Sequence, residues 1–567
     1  MHSTTYIEKM EAESIGIYAD FLNPARVFGP IFDKELRVSS RRKRNYLLRS
    51  IYLTALALYA LVVWYSVVQV AKTGSSVYQL SRMAEVGRSV ITRIVWFQFV
   101  VSQVLAIIML SSSISDEIRS GTLNVLMTTP INSFQIVAGK LLSKLLQVLL
   151  LLTLSFPLLA IFRVFGGVPW HYLVSSFFIT PAAVLFAGSL SLLLSVFYRQ
   201  AYHVILIVLV GYLLLFGILP AMLMSGAAPS AYSMLALINP IWLMVANTQQ
   251  FAGPTSGFAG TFIHCLIMSC LSIILLMISV WQIRYAAVGS KREKDASRKA
   301  IRDKNSTEVA RYKESSGYIR RVFGSPIAWK EKRQGFFGQN RTDRILTILL
   351  LCLFCLLAVS FLFSGRNTVS DAITGYSVTG IYLAIMVRLA VATAGSIAGE
   401  KEARTLPVLL VSPLEDKDII RGKVKAALWR NIPFIILYLI LSLVRMFSYT
   451  SVGLPTRFAQ SLIQLPFSAI SISCSILFLI GCGSFLGVRL KTAATAIAAT
   501  VGCYFAVTYL FCGLLNPIRI ILPAIMRWRS YMLILVLFIQ FLPMIFMGVT
   551  GLYLLRRSIR DLRHHIY

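Results

Sequence analysis

In a chain that is 57% hydrophobic and only 14% charged, a polar stretch between two long apolar runs is too polar to enter a membrane. The polar residues that recur there are therefore the first candidates for chemistry. Two stretches qualify, GTLNVLMTTPINSFQIVAGK at residues 121–140 and RTLPVLLVSPLEDKDIIRGK at residues 404–423. Counting from the glutamate ahead of each, they spell E-x4-T-L-x-x-L-x3-P-x8-G-K twice, through Glu117, Thr122, Leu126, Pro130, Gly139 and Lys140, then Glu400, Thr405, Leu409, Pro413, Gly422 and Lys423. The closing Gly-Lys lacks both the earlier glycine and the following Ser or Thr of G-x4-G-K-[ST], so neither loop is built to cradle ATP phosphates. The pattern suits attachment better than catalysis. Leu123, Leu126 and Met127, like Leu406, Leu409 and Leu410, fall at i, i+3 and i+4 and form one stripe of a helix. Each proline then ends that helix, and Asn132-Ser133 or Glu415-Asp416 begins another through capping or the helix dipole. The expected object is a helix, a bend and a second helix leading into the next apolar run.

Other candidates carry less. Cys352 and Cys355 stand at CxxC spacing inside an apolar run with no histidine or carboxylate nearby, which reads as apolar filler and not as a metal or redox site. His203 and His264 are isolated on apolar segments and read as structural. Arg388, in the middle of IYLAIMVRLAVATAG, lies about 15 Å from the nearer end of its run at ~1.5 Å per residue. It either faces a translocation path and meets an anionic or carbonyl-rich part of the substrate, or it bonds backbone carbonyls at a helix interface or snorkels.

The elements that must position these residues are membrane spans. Runs of about 20 apolar residues, enough to cross ~30 Å of hydrocarbon, occur near 51–70, 94–114, 145–162, 172–197, 202–224, 260–283, 345–364, 376–398, 428–446, 460–487, 492–515 and 531–555. Twelve spans place both termini on one side. The net charge of +32 then follows the positive-inside bias, with most Lys and Arg on the terminal, cytoplasmic side and only Glu85 and Asp371 among the carboxylates outside. Nucleic-acid binding is therefore not expected. The first fifty residues hold no apolar core ahead of a small-residue cleavage site, so the first span is expected to direct insertion into the plasma or inner membrane.

The chain repeats itself. Residues 114–140 and 397–423 align without a gap and share ten identities in 27 positions, Glu, Thr, Pro, Gly and Lys among them. In the same order, PIFDKELR from Pro30 matches PIAWKEKR from Pro326, LINPI from Leu237 matches LLNPI from Leu514, and SVFYRQA ending at Ala201 resembles GVRLKTA ending at Ala493, at offsets of 277 to 296. The expected architecture is an all-α polytopic membrane protein of two tandem six-span units. Because each unit has an even number of spans, the two are parallel, related by an axis along the membrane normal. Residues 1–50 form a cytoplasmic segment, 51–284 the first unit, 285–325 a basic linker, and 326–567 the second unit with a short basic tail.

With the loop after the second span of each unit repeated in register, the chain resembles the ABC exporter permeases of the second type, the type V exporter fold. The resemblance covers nearly the whole chain. It implies an amphipathic elbow helix before the first span of each unit, at Pro30–Arg37 with Lys34 and Glu35 and at Pro326–Arg333 with Lys330 and Glu331. It also implies that each repeated loop is a coupling helix docked on a cytoplasmic ABC ATPase, two copies in all, which would carry the ATP and Mg that this chain has no means to bind. In that reading Glu117 and Glu400 pair either with a basic residue of the ATPase or with an elbow lysine, Lys34 or Lys330. The main rival is an ion-coupled secondary transporter with two parallel six-span halves, which would need an intramembrane carboxylate; none of the 23 carboxylates falls well within an expected span. Membrane glycosyltransfer ranks below both, for lack of outer acidic residues. Nothing in the outer loop at 225–259 identifies a substrate.

Overall fold

The computed structural model describes residues 24–41, 76–166, 168–198, 201–218, 237–249, 258–283, 325–332, 368–508 and 529–563, with scattered positions between 46 and 61 and between 344 and 355. Among the described residues there is no strand. In chain order the helices are α1 (Pro24–Arg41), α2 (Ser76–Ser111), α3 (Ser115–Ser120), α4 (Thr122–Met127), α5 (Ser133–Gly166), α6 (Trp170–Phe197) and α7 (Ala201–Tyr212). They continue with α8 (Pro240–Gln249), α9 (Ala259–Ile283), α10 (Pro326–Lys332), α11 (Thr368–Glu402), α12 (Leu406–Val411), α13 (Asp416–Thr450), α14 (Pro455–Arg489), α15 (Ala493–Thr508) and α16 (Arg529–Asp561).

Seven helical stretches among the described residues are long and apolar enough to cross a membrane, one running from α2 into α3 and the others within α5, α6, α9, α11, α13 and α14. They coincide with seven of the twelve expected spans. The fifth and eleventh appear as shorter apolar helices, at His203–Gly217 and Ala493–Thr508, and α16 covers the twelfth. The expected first and seventh spans, 51–70 and 345–364, lie largely outside the described residues, as do the linker and most of the outer loop at 225–259.

The helices behind the two bends start where the sequence suggests, α5 at Ser133 and α13 at Asp416, and run unbroken into the apolar runs expected from 145 and 428. A helix continues through charged residues as long as its backbone bonds are made and the charges can reach water or a partner. The loop's second helix and the span are thus one rigid rod.

The core repeats along with the sequence. At one end of the first half, Ile31, Ile114, Ile136 and Val137 are buried together; in the second half Ile327, Ile397, Ile419 and Ile420 take the corresponding places. The halves meet where α7 and the π-helical turn after it (Leu213–Ile218) pack on α11, and Ile108, Ile205 and Val210 join the second half's apolar cluster there. The π-turn explains the Asn-Pro pair: Asn239 Nδ2 donates to the Phe216 carbonyl (2.7 Å) while Asn239 Oδ1 accepts from the Ile241 amide (2.9 Å), capping α8. Its partner Asn516-Pro517 lies outside the described residues.

Glycine sets the tightest helix contacts. A Cβ on Gly481 would sit 1.9 Å from the Gly551 carbonyl oxygen, and one on Gly483 2.2 Å from Thr393 Oγ1, so α14 packs backbone to backbone on α16 and α11. A Cβ on Gly399 of α11, by contrast, would meet nothing within 4 Å.

Candidate functional site

Both repeated loops start with the same backbone reversal. After α3, Gly121 takes a left-handed conformation with φ 77°, and after α11 the corresponding residue, Arg404, does so with φ 57°. Glycine enters this region freely, whereas an arginine there costs about 1 kcal/mol. The chain then forms the six-residue helices α4 and α12, bends at the exposed Pro130 and Pro413, and enters α5 and α13.

The repeated polar residues form one node per half. Lys140 Nζ lies 2.9 Å from Glu117 Oε1 and donates to the Ser113 carbonyl at 2.7 Å. Lys423 Nζ lies 2.9 Å from Glu400 Oε2 and donates to the Ser396 carbonyl at 3.1 Å. The lysines are buried, at 6% and 4% exposed, so their charges are stable there because each meets a carboxylate and a carbonyl. Thr122 Oγ1 donates to the Glu117 carboxylate, and Thr405 Oγ1 to the Glu400 carbonyl at 3.3 Å. Sequence left the partner of each glutamate open between an ATPase residue and an elbow lysine. The structure places it within the loop itself, while Lys34 and Lys330 are exposed. The pair ties the end of one span to the start of the next.

The elbows are tied to the same rods. Glu35 Oε2 meets Lys144 Nζ at 3.1 Å, joining α1 to α5, and Glu331 Oε2 meets Arg430 Nη2 at 2.8 Å, joining α10 to α13. The basic partner sits one helical turn further along in the second half, a shift that a gapless alignment hides. Gly422 explains itself here: a Cβ on it would come within 3.0 Å of Ile327 Cβ and 3.2 Å of the Ala328 nitrogen. The glycine lets the elbow lie directly on α13, and Gly139 is buried at the corresponding place.

The leucine stripe faces inward. Leu123 and Leu406 are buried, and Leu126 and Leu409 pack against the apolar clusters of their own halves. What each short helix turns outward is valine: Val125 is 65% exposed and the corresponding Val408 74%, with Val411 beside it at 88%. Val125 and Val408 appear among the sequence identities, but their exposure follows from which face docks on the core, which the alignment does not carry. Beyond the bends the two loops diverge. The first is uncharged from Gly121 to Gly139, and the second opens α13 with Asp416, held by Arg563 at 2.8 Å.

Arg388 sits inside the second half. Its Nη1 donates to Thr347 Oγ1 at 3.0 Å and its guanidinium lies 4.5 Å from the centroid of the Phe434 ring. These contacts link the expected seventh span to α11 and α13. His264 Nδ1 bonds the Leu237 carbonyl at 2.7 Å, and His203 stacks on Tyr198.

A polytopic helical bundle that carries the same loop in each half has the form of a membrane transport component. A family model described as ABC-2 family transporter protein matches the chain twice, over residues 29–288 and 297–545. The chain belongs to that family, and the double match is consistent with an ABC-2 type permease of two fused repeats. No curated protein matches the chain significantly.

Proposed function

We propose that this chain is the membrane-spanning permease subunit of an ATP-driven exporter of the type V fold, with the twelve spans and tandem parallel units read from the sequence. Its two repeated loops receive two copies of a cytoplasmic ABC ATPase, which hold the ATP and Mg. The observation that carries the reading is the exposure of Val125 and Val408, the same residue at the same place in both copies, at the most polar end of each half. An exposed apolar side chain repeated in register marks a surface that a partner covers.

The ion-pair nodes give that surface a mechanical role. A force on α4 or α12 passes through Glu117–Lys140 or Glu400–Lys423 to two spans at once, and the elbow is drawn along through Glu35–Lys144 or Glu331–Arg430. Nucleotide-dependent spacing of the two ATPases would thereby bias the halves between inward- and outward-facing arrangements, as differential binding requires. Export, as opposed to import, rests on the family resemblance.

The test is purification from native membranes in mild detergent, followed by mass spectrometry and an ATPase assay. A Walker-type ATPase should come with the wild-type chain and be lost when Val125 and Val408 are both changed to Asp, while the double variant elutes as a folded monodisperse species. A chain that purifies alone and moves solute under an ion gradient after reconstitution would establish the secondary-transporter reading instead.

A further inference from the structure

The cations beside the two repeated loops are used unequally. On α5, Lys140 pairs with Glu117 and Lys144 with Glu35. On α13, Lys423 pairs with Glu400 and Arg430 with Glu331, but Lys417, Arg421 and Lys425 are exposed and have no ion pair among the described residues. Carried two residues further, the gapless alignment of the loops sets Phe134, Ala138 and Leu142 against them. Three cations thus replace apolar residues at four-residue spacing, which puts them on one side of the helix.

Packing identifies that side. At about 100° per residue, Arg421 and Lys425 share a sector roughly 60° wide with Ile432, Ile436 and Leu443, all of them exposed. Ile420, Ala427, Asn431 and Phe434, on the opposite side, are buried in the bundle. The elbow α10 lies elsewhere on α13, with Ile327 beside Gly422 and Glu331 on Arg430. The side of α13 that meets lipid tails within the span therefore carries unpaired cations at its loop end.

Their depth selects the ligand. The apolar run begins near 428, and Trp429 stands at that border, the level tryptophan favours in a bilayer. At ~1.5 Å per residue, Lys425 lies about 5 Å outside the hydrocarbon and Arg421 about 10 Å, against a head-group layer roughly 5–7 Å deep on each side. Side chains four residues apart stand ~6 Å from each other, close enough to bracket one phosphate. Asp418 and Lys417 lie further out, about 15 Å from the hydrocarbon, so the carboxylate does not stand against that phosphate.

We propose that Arg421 and Lys425 bind the phosphate of one anionic phospholipid of the loop-side leaflet, with its acyl chains along Ile432 and Ile436. Guanidinium and ammonium reach the phosphodiester from two directions, each through charge-assisted hydrogen bonds. A zwitterionic head group offers the same phosphate with its charge cancelled by its own cation. The site belongs to the second half alone, because Phe134, Ala138 and Leu142 hold the corresponding places in the first and the nearby lysines there are already paired.

The experiment is native mass spectrometry of the purified, delipidated full-length chain with phosphatidylglycerol and with phosphatidylcholine of the same acyl chains. Phosphatidylglycerol should be retained as one tightly held molecule per chain, preferred roughly 10- to 30-fold, since each cation near the surface contributes about fivefold. Arg421→Gln with Lys425→Gln should lose that molecule. Arg404→Gln with Lys417→Gln, an equal loss of charge beyond the head groups, should keep it, and excess glycerol phosphate should not displace it. Equal retention of the two lipids by the wild-type chain overturns the proposal, as does unchanged retention in the Arg421/Lys425 variant. Equal loss in both variants, the mark of general attraction to a basic chain, overturns it too, and so does displacement by glycerol phosphate, the mark of a site for a free phosphate ester. An Arg421/Lys425 variant that keeps the lipid but no longer brings an ATPase from native membranes would assign the cations to a protein partner instead. Lipid retention is read on the chain alone, so it stands or falls separately from the exporter reading.

Discussion

Replacing Glu117 by Gln removes a charge without changing size, and leaves the Lys140 ammonium, its side chain 7% exposed, with only neutral acceptors, the Ser113 carbonyl and the new amide oxygen. Breaking a fully buried pair costs about 3–5 kcal/mol. The Glu117 side chain is 27% exposed, so water reaches the node and the expected loss is about 2 kcal/mol. Lys140→Met should cost less, about 1 kcal/mol, because the stranded carboxylate keeps its bond from Thr122 and some solvent. The two changes together remove both charges and leave an apolar stem in the same channel, so the double variant should be no less stable than Glu117→Gln alone. That sub-additivity is a coupling of about 1 kcal/mol or more. The assay is thermal stability of the purified chain in mild detergent by fluorescence-detected gel filtration, where ~2 kcal/mol corresponds to about 4–8 °C for a unit of some two hundred residues. Strict additivity of the two single losses would refute the pairing. The same cycle at Glu400 and Lys423 must give the same sign, since the geometry there is the same.

Further outcomes follow from particular contacts. Gly481→Ala drives a methyl group into the Gly551 carbonyl at 1.9 Å; with backbone on both sides, the loss should reach the upper end of ~1–3 kcal/mol for overpacking, read as reduced thermal stability. Arg404→Gly relieves a left-handed arginine and should raise stability by up to about 1 kcal/mol, whereas Gly121→Ala at the corresponding position should lower it by a similar amount in the same assay. Gly422→Val would push against Ile327 and the Ala328 backbone and displace the elbow from α13, which should lower thermal stability by ~1–3 kcal/mol. Arg388→Met removes the bond to Thr347 and the stacking on Phe434; stability should fall while solute transport by the folded fraction continues, and loss of transport at unchanged stability would place Arg388 on the translocation path.

Much of the chain was legible in its sequence because membrane insertion is governed by local composition. Apolar runs marked seven spans that reappear as long helices, and proline marked both loop bends, since the absence of an amide hydrogen acts wherever the residue lies. Self-similarity likewise identified Glu117, Lys140, Glu400 and Lys423 before any coordinate. Their pairing was not legible, because 23 residues separate the members of each pair and only the fold of the hairpin brings them to 2.9 Å. The starts of the helices behind the bends were legible too, at Ser133 and Asp416, because capping residues act locally. A stripe of leucines announces that one face is buried, but it does not say against what. Only packing on the chain's own core turned Leu126 and Leu409 inward and Val125 and Val408 out. The sequence by itself determined the class of fold, the repetition and the residues that repeat, all properties of short stretches of chain. The tertiary structure decided which of them face each other and which face water, because those depend on the mutual placement of helices far apart in the chain.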